Sequence, residues 1–124
     1  MKQIFLLMGS GFMFLAVTIG AFGAHGLKNK LDAYAMSVYN TAVEYHFYHA
    51  LGLLLLGILM QQYKPSLLLN ISGWSMGLGI LIFSGSLYAL AISGVKWLGA
   101  ITPIGGLCFL IAWFCFFAGV IKAS

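Results

Sequence analysis

Charged residues are scarce in this sequence of 124 residues: only 6% are Asp, Glu, Lys or Arg, whereas 62% of the residues are hydrophobic. Soluble domains contain about 25% charged residues, so this chain has too few to cover a water-facing surface. The mean hydropathy of +1.03 agrees with that shortage. The composition therefore excludes an ordinary soluble protein and predicts an integral membrane protein.

Arginine is absent, and the lysines stand singly along the chain except for the near pair Lys28 and Lys30. Nucleic-acid-binding proteins cluster basic residues on one face, so the net charge of +4 does not indicate a nucleic-acid partner. Isolated lysines between long apolar runs are typical of membrane loops, where they lie among lipid headgroups. The lipid bilayer is the partner that this charge pattern predicts.

Cysteine is rare as well. Cys108 and Cys115 lie in one apolar run, and on a helix their Cα atoms would be about 10.5 Å apart, beyond the roughly 7 Å that a disulfide spans. They form neither CxxC nor CxxCH, so neither a redox pair nor haem attachment is expected. We interpret both as small apolar residues of a helix.

Common catalytic motifs are missing. The sequence contains no serine nucleophile elbow, no phosphate-binding glycine loop and no H-E-x-x-H. Its polar loops are too short to form a soluble active site. We therefore expect no enzymatic activity and no cofactor.

Four long apolar segments are present, and each has about the 20 residues that a helix needs to cross a hydrocarbon core roughly 30 Å thick. The first segment, preceded by Lys2, also resembles a signal peptide. It is longer than the typical h-region of about 7 to 15 residues, so we favour a membrane helix over a cleaved signal peptide. Pro65 suits the first turn of helix three, and Thr102-Pro103 either caps helix four or kinks it one turn in. The predicted helices cover about 4–24, 42–62, 67–91 and 98–121 in a single membrane domain, 1–124.

Residues 25–40 have a mixed composition. Asp32 suits a helix N-cap, and apolar residues follow it at helical spacing. These apolar positions are Leu31, Ala35, Val38 and Ala42. Thr41-Ala-Val-Glu44 then has the S/T-x-x-E spacing of a capping box. We therefore predict a short amphipathic, interfacial segment before helix two, and the start of helix two near Thr41.

An even number of crossings places both chain termini on one side of the membrane. The lysine count is tied between the sides at three each, because Lys2, Lys64 and Lys122 oppose the other three. Acidic residues contribute little to the positive-inside rule, so Asp32 favours cytoplasmic termini only weakly.

Helix two carries the most polar segment of the sequence. Glu44, Tyr45, Tyr48 and His49 share one arc of the helix, and His46 points away from it. We expect the arc to face into the bundle, with His25 at the end of helix one close enough to join the cluster.

Two interpretations of this cluster stay open. An ionisable group at membrane depth is costly and often marks a proton, ion or ligand path, which would involve Glu44 and His49. Alternatively, Glu44 is a helix cap and His49 is a buried histidine bonded to a tyrosine or a backbone carbonyl. The two residues are five apart rather than the three of di-iron motifs, so no metal is predicted.

Small residues form a second pattern. Gly20 and Gly23 fall along one side of helix one, and Gly73-x-x-x-Gly77 in helix three has the GxxxG spacing that allows close helix approach in lipid. We favour packing within one chain over a dimer interface.

Four blocks carry a family resemblance: GAFGAHGL at 20–27, TAVEYHFYHAL at 41–51, FSGSLYAL at 83–90 and ITPIGG at 101–106. Together they resemble the small bacterial proteins called domain of unknown function 423, whose animal relatives are called transmembrane protein 256. The resemblance implies an all-α, four-helix inner-membrane protein of uncharacterised activity. It supplies no catalytic residues.

Two functional classes follow. The first is a non-enzymatic accessory protein that stabilises the membrane or a larger membrane complex, which agrees with the short loops and the missing catalytic motifs. The alternative is a small oligomeric transporter or proton-coupled channel that uses Glu44 and His49. Either class permits a homo-oligomer.

Overall fold

Four long helices make up the computed structural model, which describes residues 3–123. No strand occurs in that part of the chain. Each helix is long and apolar enough to cross a membrane, which confirms the all-α, four-helix membrane bundle. The helices are α1 (Ile4–Leu27), α2 (Ala33–Met60), α3 (Leu67–Ser93) and α4 (Lys96–Ala123).

Helices α2 and α3 pack together at the centre of the bundle, with α1 along α2 and α4 along α3. Leu6 of α1 contacts α2 at Gly57, and Leu69 of α3 contacts α4 at Gly119. The start of α1, the α2–α3 link and the end of α4 therefore lie at one end of the bundle, which we name the terminal end. The opposite end, named the link end, holds the connections at 28–32 and 94–95.

Polar caps fix the starts of the two central helices. Asp32 accepts a hydrogen bond from the Ala35 amide at 2.7 Å, as its N-cap assignment predicted. Ser66 accepts one from the Leu69 amide at 3.3 Å. At the far end of α3, Gly94 adopts φ +73°, a conformation that glycine reaches without a steric penalty.

The predicted interfacial segment is not a separate helix. Residues 33–40 form the first turns of α2, which runs unbroken from Ala33 to Met60. The capping box is also wrong, because Thr41 lies inside the helix and its hydroxyl donates to the Ser37 carbonyl at 3.0 Å. No proline or glycine occurs between Asp32 and Gly52, so nothing in that stretch ends the helix that Asp32 starts.

Helix α4 begins as a short 3₁₀ segment, Lys96–Ala100, and becomes α-helical at Thr102–Ala123. Pro103 occupies the first turn of the α-helical part, where its missing N–H has no intrahelical partner to lose. Of the two alternatives for Thr102-Pro103, the structure therefore shows a helix start.

The two halves of the bundle differ in polarity. The half towards the terminal end is packed with apolar side chains from all four helices. They are Phe5, Leu53, Leu56, Leu69, Met76, Ile80, Phe109 and Ala112. The half towards the link end buries polar groups, among them His46, Ser84 and Ser86.

The glycines of both predicted patterns lie at contacts within the chain. Gly73 and Gly77 of α3 receive the ring of Phe5 and the methyl group of Met8 from α1. On α1, Gly23 leaves room for the Tyr39 ring of α2, and Gly20 borders Val43 of the same helix. These glycines therefore hold the chain's own helices together.

A close approach of two helix backbones joins Gly105 of α4 to Phe83, which lies in a π-helical turn, Ile80–Ser84, of α3. A Cβ atom on Gly105 would overlap the Phe83 backbone, with its Cα only 2.7 Å away. Backbone atoms cannot rotate aside as a side chain can, so glycine is required at this crossing.

We predict that Gly105→Ala destabilises the bundle by about 3 kcal/mol, the upper end of typical overpacking costs, because two backbones must separate. The measurement is thermal unfolding in lipid discs. Gly85→Ala is the matched control, since a Cβ there meets nothing within 4 Å and should not lower stability. Equal stability of the two variants would contradict this packing.

Candidate functional site

Helix α2 buries one row of side chains along its whole length. The row advances by alternating steps of three and four residues, the spacing of a face that packs against other helices. Its members are Tyr39, Ala42, His46, His49, Leu53 and Leu56. The row is polar towards the link end and apolar towards the terminal end.

His49 is held by a partner on each ring nitrogen. Its Nδ1 lies 2.8 Å from the Tyr45 carbonyl, which can only accept, and its Nε2 lies 2.9 Å from the Trp113 indole N–H, which can only donate. The imidazole is therefore neutral, with its proton on Nδ1. It also stacks on Phe109 with ring centroids 3.5 Å apart, so the side chain is fixed from three directions.

His46 was missing from the predicted cluster, yet it is as buried as His49. Its Nδ1 pairs with the Tyr88 hydroxyl of α3 at 2.8 Å. The Nε2 atom makes no hydrogen bond to any of residues 3–123, although the backbone of Phe12 in α1 lies close to the ring. The alternating spacing of the buried row was the signal that could have identified this residue.

Hydroxyl groups complete the polar half of the core. The Tyr39 hydroxyl donates to the Ile19 carbonyl of α1 at 2.6 Å, and Ser84 donates to the Ala42 carbonyl of α2 at 2.8 Å. Each bond crosses between two helices, so the polar half fixes how α1, α2 and α3 are aligned.

Glu44 lies on the opposite side of α2 from His46. Its side chain is exposed on the outside of the bundle, and the only polar partner seen in residues 3–123 is the Tyr48 hydroxyl, at the 3.5 Å limit of hydrogen bonding. Asn40, Tyr45 and Tyr48 are exposed beside it. We name these four residues the polar face of α2.

The predicted cluster is therefore divided. The expectation that its arc faces into the bundle is wrong for Glu44 and Tyr48, which face outwards, whereas His49 is buried. Tyr45 contributes its carbonyl to His49 and its partly exposed ring to a contact with Phe83.

His25 lies apart from the other predicted residues. It is exposed in the π-helical turn that ends α1, two residues beyond Gly23, which contacts Tyr39. Glu44 lies further along α2, towards the centre of the membrane. Among residues 3–123, no group of three His, Cys, Asp or Glu side chains is placed to hold a metal ion.

The fold and this arrangement of polar groups define a multi-pass, all-α membrane protein. The chain belongs to the family described as protein of unknown function DUF423, whose sequence profile matches residues 19–106. This confirms the resemblance carried by the four sequence blocks.

Bacterial relatives cover nearly the whole chain. The UPF0382 membrane protein of Staphylococcus saprophyticus is 45% identical over 97% of this chain and 98% of its own length. UPF0382 membrane protein YwdK of Bacillus subtilis is 42% identical over the same shares of the two chains. No solved structure matches the chain. The relatives support the assignment as a bacterial membrane protein.

We predict that Trp113→Phe destabilises the bundle by about 1 to 2 kcal/mol, because it leaves the buried Nε2 of His49 without a donor. Chemical unfolding in detergent micelles measures the decrease in the free energy of unfolding. The control is Trp97→Phe, which changes an exposed indole near the start of α4. In addition, ¹⁵N NMR should find the His49 proton on Nδ1, and a proton on Nε2 would disprove the bonding pattern.

Proposed function

We propose that this chain is a non-enzymatic accessory component of the membrane, and that it binds another membrane protein through the polar face of α2. The observation that carries the proposal is the outward position of Glu44. Exposure of a carboxyl group to lipid on the outer surface of a membrane helix costs free energy. Contact with a second protein that forms hydrogen bonds to the carboxyl group would lower that cost.

The depth of Glu44 supports this proposal. Helix α2 has 28 residues and is therefore about 42 Å long, against a hydrocarbon core of about 30 Å. With α2 centred on the bilayer, Glu44 lies about 10 Å inside the hydrocarbon boundary. Insertion scales assign about 2.5 to 3.5 kcal/mol to a charged side chain at the helix centre, and a protein partner would remove part of that cost.

The polar face also indicates the chemistry of the partner. The Glu44 carboxylate accepts hydrogen bonds, whereas the Asn40 amide and the hydroxyls of Tyr45 and Tyr48 can donate them. A suitable partner is a transmembrane helix with hydroxyl, amide or basic side chains at the same depth. A second copy of this chain also meets that requirement, because it carries the same donors.

Apart from the Nε2 atom of His46, which has no hydrogen bond to the described residues, the inward polar groups favour a structural role over chemistry. His49 has both ring nitrogens engaged, and Tyr39 and Ser84 donate to backbone carbonyls of neighbouring helices. Groups bonded in this way stabilise helix contacts and are not free to bind a substrate.

The transport alternative retains one supporting observation, the ionisable Glu44 at membrane depth. A path through a single bundle would have to cross the apolar half, where Leu53, Leu56 and Met76 have no exposed surface. His49 could accept a proton only by losing its bond to Trp113. A proton path would therefore have to run between chains, along the polar face of α2.

We predict that a photo-crosslinking side chain at Leu51, which is exposed one turn from Tyr48, captures a defined membrane protein in intact cells. The same group at Phe14, exposed on α1, is the control and should label lipid instead. Glu44→Leu should abolish the Leu51 crosslink, because the acceptor is lost. Glu44→Gln keeps an acceptor and should retain the crosslink.

The outcomes separate the candidate functions. Equal crosslinking from Leu51 and Phe14, or a Leu51 crosslink that survives Glu44→Leu, would overturn the proposed interface. Two results together would favour the transport alternative: a crosslink to a second copy of the chain, and proton flux into liposomes that is lost when the liposomes contain the Glu44→Gln variant. Glutamine cannot carry the proton. The control Thr18→Val changes a polar side chain exposed on α1 and should affect neither assay.

A further inference from the structure

A groove of about 790 Å³ opens at the terminal end of the bundle, between the α2–α3 link and the last turn of α4. It is separate from the polar face of α2 and lies at the opposite end from Asp32. The side chains that shape it include Tyr63, Lys64, Ser66, Leu68 and Lys122.

In the part of the chain that the structure describes, two lysines and no acidic side chain line the groove. Lys64 comes from the α2–α3 link and Lys122 from α4, so two cations from different elements border one space. The only acidic residues of the sequence are Asp32 and Glu44. Asp32 caps the far end of α2, about 42 Å away along the helix, and Glu44 lies about 24 Å along the helix from Met60. Neither lysine therefore has a carboxylate side chain near it.

The groove lies at headgroup level, and apolar side chains line it beside the lysines. Lys64 and Lys122 follow or end membrane-spanning helices, which places them at headgroup level. Leu67 and Leu68 begin α3 directly below the link, and Leu67 is 77% exposed. A molecule with an anionic group next to a hydrocarbon chain would match both the lysines and the leucines.

We propose that this groove binds an anionic phospholipid, with Lys64 and Lys122 on its phosphate and an acyl chain against Leu67 and Leu68. The lysines supply the attraction for any phosphate. The exposed leucines distinguish a lipid from free phosphate, because only the lipid buries their apolar surface.

The test uses the full chain in lipid discs that contain equal amounts of phosphatidylglycerol and phosphatidylcholine. Native mass spectrometry measures which lipid stays bound after release from the disc, and we expect phosphatidylglycerol to be enriched. The double variant Lys64→Gln/Lys122→Gln should lower that enrichment by about 30-fold, which is about 1 kcal/mol for each lysine. Both side chains are exposed, so the variant is expected to fold.

The matched control is Lys28→Gln/Lys30→Gln, which removes the same charge at the link end and should retain the lipid. Equal loss in both double variants, or no enrichment in the unchanged protein, would overturn the proposal. Displacement of the bound lipid by excess inorganic phosphate would overturn the assignment to a lipid. The Leu51 crosslink should be the same in both double variants, so this site and the proposed function succeed or fail separately.

Discussion

The absence of water from the hydrocarbon core is the constraint on which this structure depends. A polar group at membrane depth must find its hydrogen-bond partner within protein, and a group left unpaired there costs several kcal/mol. Tyr39 meets this constraint by donating to a carbonyl of α1, and His49 meets it with the Tyr45 carbonyl and the Trp113 indole. These bonds therefore join α2 to α1 and α4, whereas the buried Nε2 atom of His46 is left without a hydrogen bond in the described part of the chain. Glu44 faces outwards with only a 3.5 Å contact to the Tyr48 hydroxyl, and we propose that another membrane protein meets the same constraint there.

Close packing allows those hydrogen bonds to form. Gly105 lets α4 approach the backbone of Phe83, and Gly23 leaves room for the Tyr39 ring beneath α1. Because a Cβ atom at either position would push two helices apart, these glycines and the interhelical bonds depend on each other. The polar half near the link end is therefore held by hydrogen bonds between helices as well as by packing, while the other half depends on the packing of apolar side chains.

The sequence was sufficient to predict the fold because every charged residue except Glu44 lies at an end of one of the four apolar runs, and Asp32 was correctly identified as an N-cap. It was insufficient for the direction of the polar residues. Polar residues occur on both sides of α2, with Tyr39 buried and Tyr48 exposed, so their positions in the sequence favoured the arc of Glu44 over the row that contains His46. Trp113 could not be predicted as a partner of His49, since the contact joins residues 64 apart in sequence.

The central claim is that protein, and not lipid, covers the polar face of α2 in the native membrane. It can be tested by measuring the oxygen accessibility of a nitroxide spin label in discs cut from native membranes, with Cys108 and Cys115 replaced by alanine. One label is placed by Leu55→Cys, on the side of α2 that carries Glu44, and the other by Leu7→Cys at similar depth on α1. We predict low accessibility at position 55 and high accessibility at position 7. Equally high accessibility at both positions would contradict the account, because Glu44 would then face lipid.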